Sequence, residues 1–134
     1  MEEVGKRAAK VIDVLVEGLT YSDDNSSRKI DNSSSMAVHV EIIGTVGNAK
    51  DLISIAHYYE QNGDLMRDPD MVFLRAAPSR YYPVSFQQDG GVPTFQEAIL
   101  FEDGNLKSFR KTLGRQLVSF ANKWMVNIKA QQNL

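Results

Sequence analysis

His57-Tyr58-Tyr59-Glu60-Gln61-Asn62-Gly63-Asp64-Leu65-Met66-Arg67-Asp68-Pro69-Asp70 is the densest chemistry in the chain. It reads as a helix end and a tight acidic turn leading into a strand. Asn62 and Gly63 both tolerate the left-handed conformation that stops a helix. The helix they would end covers about 48–61, with Asn48 as N-cap and Asp51 near the positive helix end. Leu52, Ile53, Ile55, Ala56 and Tyr59 form its apolar stripe, with His57 and Glu60 at the two margins. Asp68-Pro69-Asp70 is a turn, and Met71–Arg75 is a strand.

Upstream, Val38, Val40 and Ile42 alternate with Ala37, His39 and Glu41, so Met36–Val46 reads as a half-buried strand. The polar stretch 22–35 has only Ile30 as an apolar residue and reads as a mobile, serine-rich loop. Residues 2–19 repeat Val4, Ala8, Val11, Ile12, Leu15, Val16 and Leu19 at helical spacing.

Downstream, Tyr81–Gln87 reads as a strand with Tyr82, Val84 and Phe86 on one face. Pro83 lacks an amide donor, which argues for an edge or a bulge. Gln88-Asp89-Gly90-Gly91 is a hairpin turn into a strand over 92–101. Leu106, Phe109, Leu113, Leu117, Phe120, Trp124 and Ile128 mark a final helix over about 105–131. The expected fold is α+β in two layers: an antiparallel sheet of about four strands, helices on one face, order α-β-α-β-β-β-α.

A chain of 134 residues with 43% hydrophobic and 24% charged residues suits a single globular domain over 1–134. The absence of cysteine excludes disulfides, thiolate metal sites and a cysteine nucleophile. No apolar run reaches the roughly 18 residues that span a bilayer, and Met1-Glu2-Glu3-Val4 is unlike a signal peptide. The expectation is a soluble, cytoplasmic protein with no membrane partner. Charge is unevenly spread. Lys107, Arg110, Lys111, Arg115, Lys123 and Lys129 make 104–134 basic with no acid, while the remainder is strongly acidic.

Two constellations stand out. The acidic corner, Tyr58, Glu60, Asp64, Asp68, Asp70 and Asp89 together with Tyr81 and Tyr82, suits recognition of a protein partner, since tyrosines beside charges recur at interfaces. Alternatively His57, Glu60, Asp64, Asp68 and Asp70 offer oxygen ligands and a general base for a magnesium- or manganese-dependent nuclease or phosphoesterase. No HExxH or EF-hand spacing supports the latter. The second constellation is a basic face of Lys107, Arg110, Lys111 and Arg115, which suits phosphates or an acidic protein. It lacks interleaved aromatics, and the pI of 5.6 argues against strong nucleic-acid binding. There is no GxSxG and no GxxxxGK[ST], so no catalytic residue is assigned.

The run His57–Asp64, then Asp68-Pro69-Asp70-Met71, Tyr82-Pro83 and Gln88-Asp89, resembles an uncharacterised domain family of bacterial conjugative elements and phages. The resemblance covers about half the chain. It implies a mobile-element setting and an accessory or counter-defence role, with no catalytic residues. The favoured expectation is a non-enzymatic binding protein without cofactor, acting through protein–protein contacts, with self-association open. A metal-dependent nuclease and a nucleic-acid-binding accessory are the alternatives.

Overall fold

The computed structural model describes residues 1–134. Helix α1 (Lys6–Val16) comes first, then strands β1 (Ser27–Ile30), β2 (Val38–Val46), β3 (Lys50–Gln61), β4 (Asp64–Ala77), β5 (Arg80–Gln88) and β6 (Thr94–Glu97). A short hairpin follows, β7 (Ile99–Glu102) and β8 (Asn105–Phe109), and then the long helix α2 (Lys111–Gln131). Strands β1 to β6 form one antiparallel sheet in sequence order, and β7–β8 form a second. The fold is α+β. It holds six strands plus two rather than about four, in the order α, eight β, α. No helix is long and apolar enough to cross a membrane.

The main core follows from strand alternation. Val38, Val40 and Ile42 of β2 turn to the same side as Ile53 and Ile55 of β3, and as Met71 and Phe73 of β4. Period two puts every second residue on one face. Both helices cover that face. Val11, Ile12, Leu15 and Val16 come from α1, and Leu117, Ala121, Trp124, Met125 and Ile128 from α2. Gln132, fully buried, is satisfied at both ends of its amide. Its Oε1 accepts from the Asn32 amide at 2.8 Å, and its Nε2 donates to the Met36 carbonyl at 2.9 Å. That clamp holds the end of α2 to the segment entering β2.

Five local readings are corrected. Residues 48–61 form no helix. Gly47 and Ala49, both at positive φ, close a tight turn from β2, and Lys50–Gln61 is a central strand. A strand buried on both faces gives a near-continuous apolar run, which periodicity alone does not separate from a buried helix. Asn62-Gly63, with φ of 53° and 84°, is then a two-residue hairpin turn instead of a helix stop. The stretch 22–35 holds β1, whose four residues pair with β2. The strand expected over 92–101 is two strands broken at Ala98. The last helix starts at Lys111, because Asp103-Gly104 (φ 53° and 76°) turns β7 into β8. Leu106 and Phe109 are about half exposed and extend the helical stripe only by coincidence of spacing.

Strand β5 departs from simple alternation. Ser85 faces Val72 and Pro83 faces Phe73, so Val84 is an extra residue. Pro83 can sit there because a bulge asks for no ladder bond from its missing amide. Tyr81 and Phe86 therefore both serve the main core. Val84 turns the other way, joining Leu74 and Ile99 in a second cluster with Val46, Leu52, Tyr82 and Phe101. The β7–β8 hairpin thus caps one half of the outer sheet face.

Replacing Ile55, fully buried, with alanine is expected to cost about 2–5 kcal/mol. Leu106→Ala, at 50% exposure, is expected to change stability by less than about 0.5 kcal/mol. Urea unfolding of both variants checks this. A large Leu106 effect would support a helix beginning at 105.

Candidate functional site

The other half of the outer face has no helix or hairpin over it. One row of directly paired residues runs Lys29, His39, Ala56, Asp70, Gln87, Phe95 across all six strands. The neighbouring row runs Ser27, Glu41, Ser54, Val72, Ser85, Glu97. Short side chains in the middle leave a floor, and longer ones stand around it. The Tyr58 ring meets His39 edge-on, 5.0 Å between centroids.

Asp70 is the centre of this face. Its Oδ1 accepts from Ser54 Oγ at 2.7 Å, and Arg67 Nε lies 3.7 Å from its Oδ2. Burial nevertheless wins and raises its pKa above the usual carboxylate value, against the Ser54 bond and Arg67. The Tyr58 hydroxyl is raised too, first by burial and then by the charge of Asp70. His39 is lowered by burial and by Lys29, which favours its neutral ring. Asp89 behaves oppositely. Its Oδ2 accepts from the Arg67 amide at 3.0 Å, and Arg67 Nη1 lies 3.4 Å away. The amide bond is the largest cause of its lowered pKa, helped by Gln87 and the Arg67 charge.

The expected acidic corner is therefore divided. Tyr58, Asp70 and Asp89 come together around Arg67. Glu60, opposite Leu65, and Asp64, opposite Gln61, stand exposed at the tip of the β3–β4 hairpin. Asp68 accepts from Gln88 Nε2 at 2.6 Å and helps fasten β4 to the end of β5. His57 is on the opposite, helix-covered face. Only 6% of it is exposed, its Nδ1 bonds the Ala37 carbonyl at 2.9 Å, and its ring packs edge-on to Trp124. Once 50–61 is a strand, alternation sends His57 and Tyr58 to opposite sides. No three His, Asp or Glu side chains are grouped so as to hold a metal ion. Tyr81 is fully buried, and its hydroxyl donates to Asp13 at 2.6 Å. Burial and that bond push its pKa up strongly. It braces α1 against β5.

Tyr82 has a different neighbourhood, one that the sequence does not advertise. The Ala98 amide donates to the carbonyl of the bulged Val84 at 2.7 Å, and the Arg110 amide donates to the Ala98 carbonyl at 2.7 Å. These two bonds set the start of α2 beside β5. Between them lies a cleft of about 250 Å³. Tyr82, Pro83, Ala98, Ile99 and Phe109 supply apolar walls, and Arg110, Lys111 and Arg115 stand at it with Glu2. The expected basic face is thus reorganised. Lys107 is on β8 and pairs with Glu102 at 3.6 Å, while the other three cations have no carboxylate within 4 Å.

The fold is that of a small α+β domain whose meandering sheet has one helical face and one partly open face. The chain matches the family described as Domain of unknown function (DUF6908) over residues 10–134, and it belongs to that family. No curated protein matches the chain. No solved structure matches it either.

Asp89 and Asp70 predict opposite pH behaviour. A lowered carboxylate contributes stability above its unfolded value near 3.8, lost as pH falls through the folded value. Asp89→Asn is expected to lower the melting temperature at pH 7 and to converge on wild type in strong acid. A raised carboxylate works against stability as pH climbs past 3.8. Asp70→Asn, which keeps an acceptor for Ser54, is expected to hold or raise the melting temperature at pH 7. Thermal melts across pH check both signs.

Gly114 is helical, and a Cβ there would meet nothing within 4 Å. Gly114→Ala is expected to gain roughly 0.5–1 kcal/mol by restricting the unfolded backbone. For a domain of this size that is about 2–4 °C in melting temperature. Differential scanning calorimetry checks it.

Proposed function

We propose that the protein is a non-enzymatic binding module that docks a protein partner on the open half of its outer sheet face. The observation that carries this reading is the convergence of Tyr58, His39, Arg67, Asp70 and Asp89 there, at the middle of a row ending in Phe95. Phe95 is a large apolar side chain that is 58% exposed. An aromatic anchor beside half-buried, hydrogen-bonded charges is the composition of an interface centre. Carboxylates outnumber cations on this face, Glu41, Asp70, Asp89 and Glu97 against Lys29 and Arg67. That balance repels a polyanion and suits a partner with a basic surface.

The inward position of His57 and the scatter of Glu60, Asp64 and Asp68 favour binding over metal-assisted hydrolysis. In the mobile-element setting that the motif resemblance implies, inhibition of a host defence protein is one concrete form of this role.

The test is a photo-crosslinking amino acid placed at Gln87, between Asp70 and Phe95, in the full chain expressed in its host. A discrete crosslinked protein is expected, reduced about tenfold or more by Tyr58→Ala/Phe95→Ala, since interface anchors each carry about 2 kcal/mol. Arg110→Ala, remote from this face, should leave the crosslink intact. Equal yield from all three forms would reject the surface.

A further inference from the structure

We propose that the cleft between β5, the β7–β8 hairpin and the first turn of α2 is a binding site for a small phosphomonoester with an apolar body. This site is separate from the open sheet face and does not depend on that face binding anything.

Three independent features of the cleft point the same way. The first is its size and lining. Its volume is about 250 Å³, with Tyr82, Ile99 and Phe109 among its walls. A dry cavity of about 150 Å³ already accepts benzene. The additional room matches one oxyanion group attached to such a body.

The second is charge. Arg110, Lys111 and Arg115 stand at the cleft, and Glu2 is the one acid there. The balance is two positive charges with no ion pair to neutralise them. A phosphomonoester carries close to two negative charges at neutral pH. Two guanidinium groups offer forked donors that suit phosphate oxygens. The same cations are costly where they are without a ligand. Arg110 and Lys111 sit at a helix start with no acidic residue in the first turn and no side-chain cap, where positive charge opposes the helix dipole.

The third is Gly114. It borders the cleft, its backbone is ordinary helix, and a side chain there would meet open space. Neither strain nor close packing calls for glycine at this position. A larger residue would strengthen the helix and fill the cleft. Keeping the cleft open is the role that the surroundings leave for it.

The phosphate is expected to lie among Arg110, Lys111 and Arg115 and the apolar body against Tyr82 and Phe109. The experiment is a titration of the isotopically labelled full chain with phenyl phosphate, followed by amide chemical shifts. Inorganic phosphate and phenol are titrated in parallel. Phenyl phosphate is expected to bind at least tenfold more tightly than either, with shifts concentrated at 82, 84, 98–99 and 110–115. Arg110→Ala and Arg115→Ala should each weaken it roughly tenfold. Gly114→Leu should abolish binding while its melting temperature stays at or above wild type.

The proposal is overturned if phenyl phosphate binds no better than inorganic phosphate, if the shifts map elsewhere, or if Gly114→Leu binds as wild type does. Should Gly114→Leu unfold, Tyr82→Ala replaces it, and unchanged affinity there overturns the proposal equally.

Discussion

Everything in the molecule depends on one face of one sheet being taken out of water. Ile53, Ile55, Met71 and Phe73 are fully buried beneath the two helices, and Met125 and Ile128 meet them from above. Each such side chain is worth about 1.5–3 kcal/mol in transfer terms, and none of the peripheral contacts approaches their sum. The polar bonds around this core fasten its edges. Tyr81 to Asp13 holds α1, Gln132 holds the end of α2, and Gly5 donates to Asn122 at 2.8 Å to join the helices. With the inner face closed, only the outer face of the sheet is left partly open.

The outer face is divided by a single inserted residue. Val84 stays on the outer face with Tyr82, and the extra residue turns Phe86 in where alternation alone would turn it out. The Val84 carbonyl takes the Ala98 amide. That bond anchors the joint at which β6 gives way to β7. The hairpin then folds across the Val46, Leu52 and Leu74 end of the sheet. The consequence is two surfaces of opposite sign on one small body. The open half is acidic, and the cleft beneath the hairpin is basic.

Much of this was legible in the residues. The alternation Val38/Val40/Ile42 against His39/Glu41 marks β2 and its faces correctly, and Pro83 points to the bulge. Class and layering follow from such patterns. Residues 50–61 were not legible as a strand, because Leu52, Ile53, Ile55 and Ala56 suit either a helix stripe or a strand buried on both sides. The turn chemistry at Asn62-Gly63 and Asp103-Gly104 was the better signal, since each dipeptide closes a hairpin between extended segments. Of the candidate site, Tyr58, Asp70 and Asp89 stand out by chemistry, but their meeting at Arg67 depends on register. His57 looked like part of the same cluster because sequence proximity says nothing about which side of a sheet a residue takes. The cleft was hidden for a similar reason. Tyr82 and Arg115 are brought together by the bulge and by two backbone bonds that no side-chain pattern announces.

The order of the six strands has a kinetic reading. Each strand lies beside the one made just before it, so every rung of the sheet closes a short loop. The entropy of such closures is small, and hairpins of this kind form within microseconds. The helices are another matter, since Gly5 and Asn122 stand 117 positions apart when they join. Assembly can therefore zip outward from the β3–β4 ribbon, with an amphipathic surface transiently bare until the two distant segments arrive to cover it.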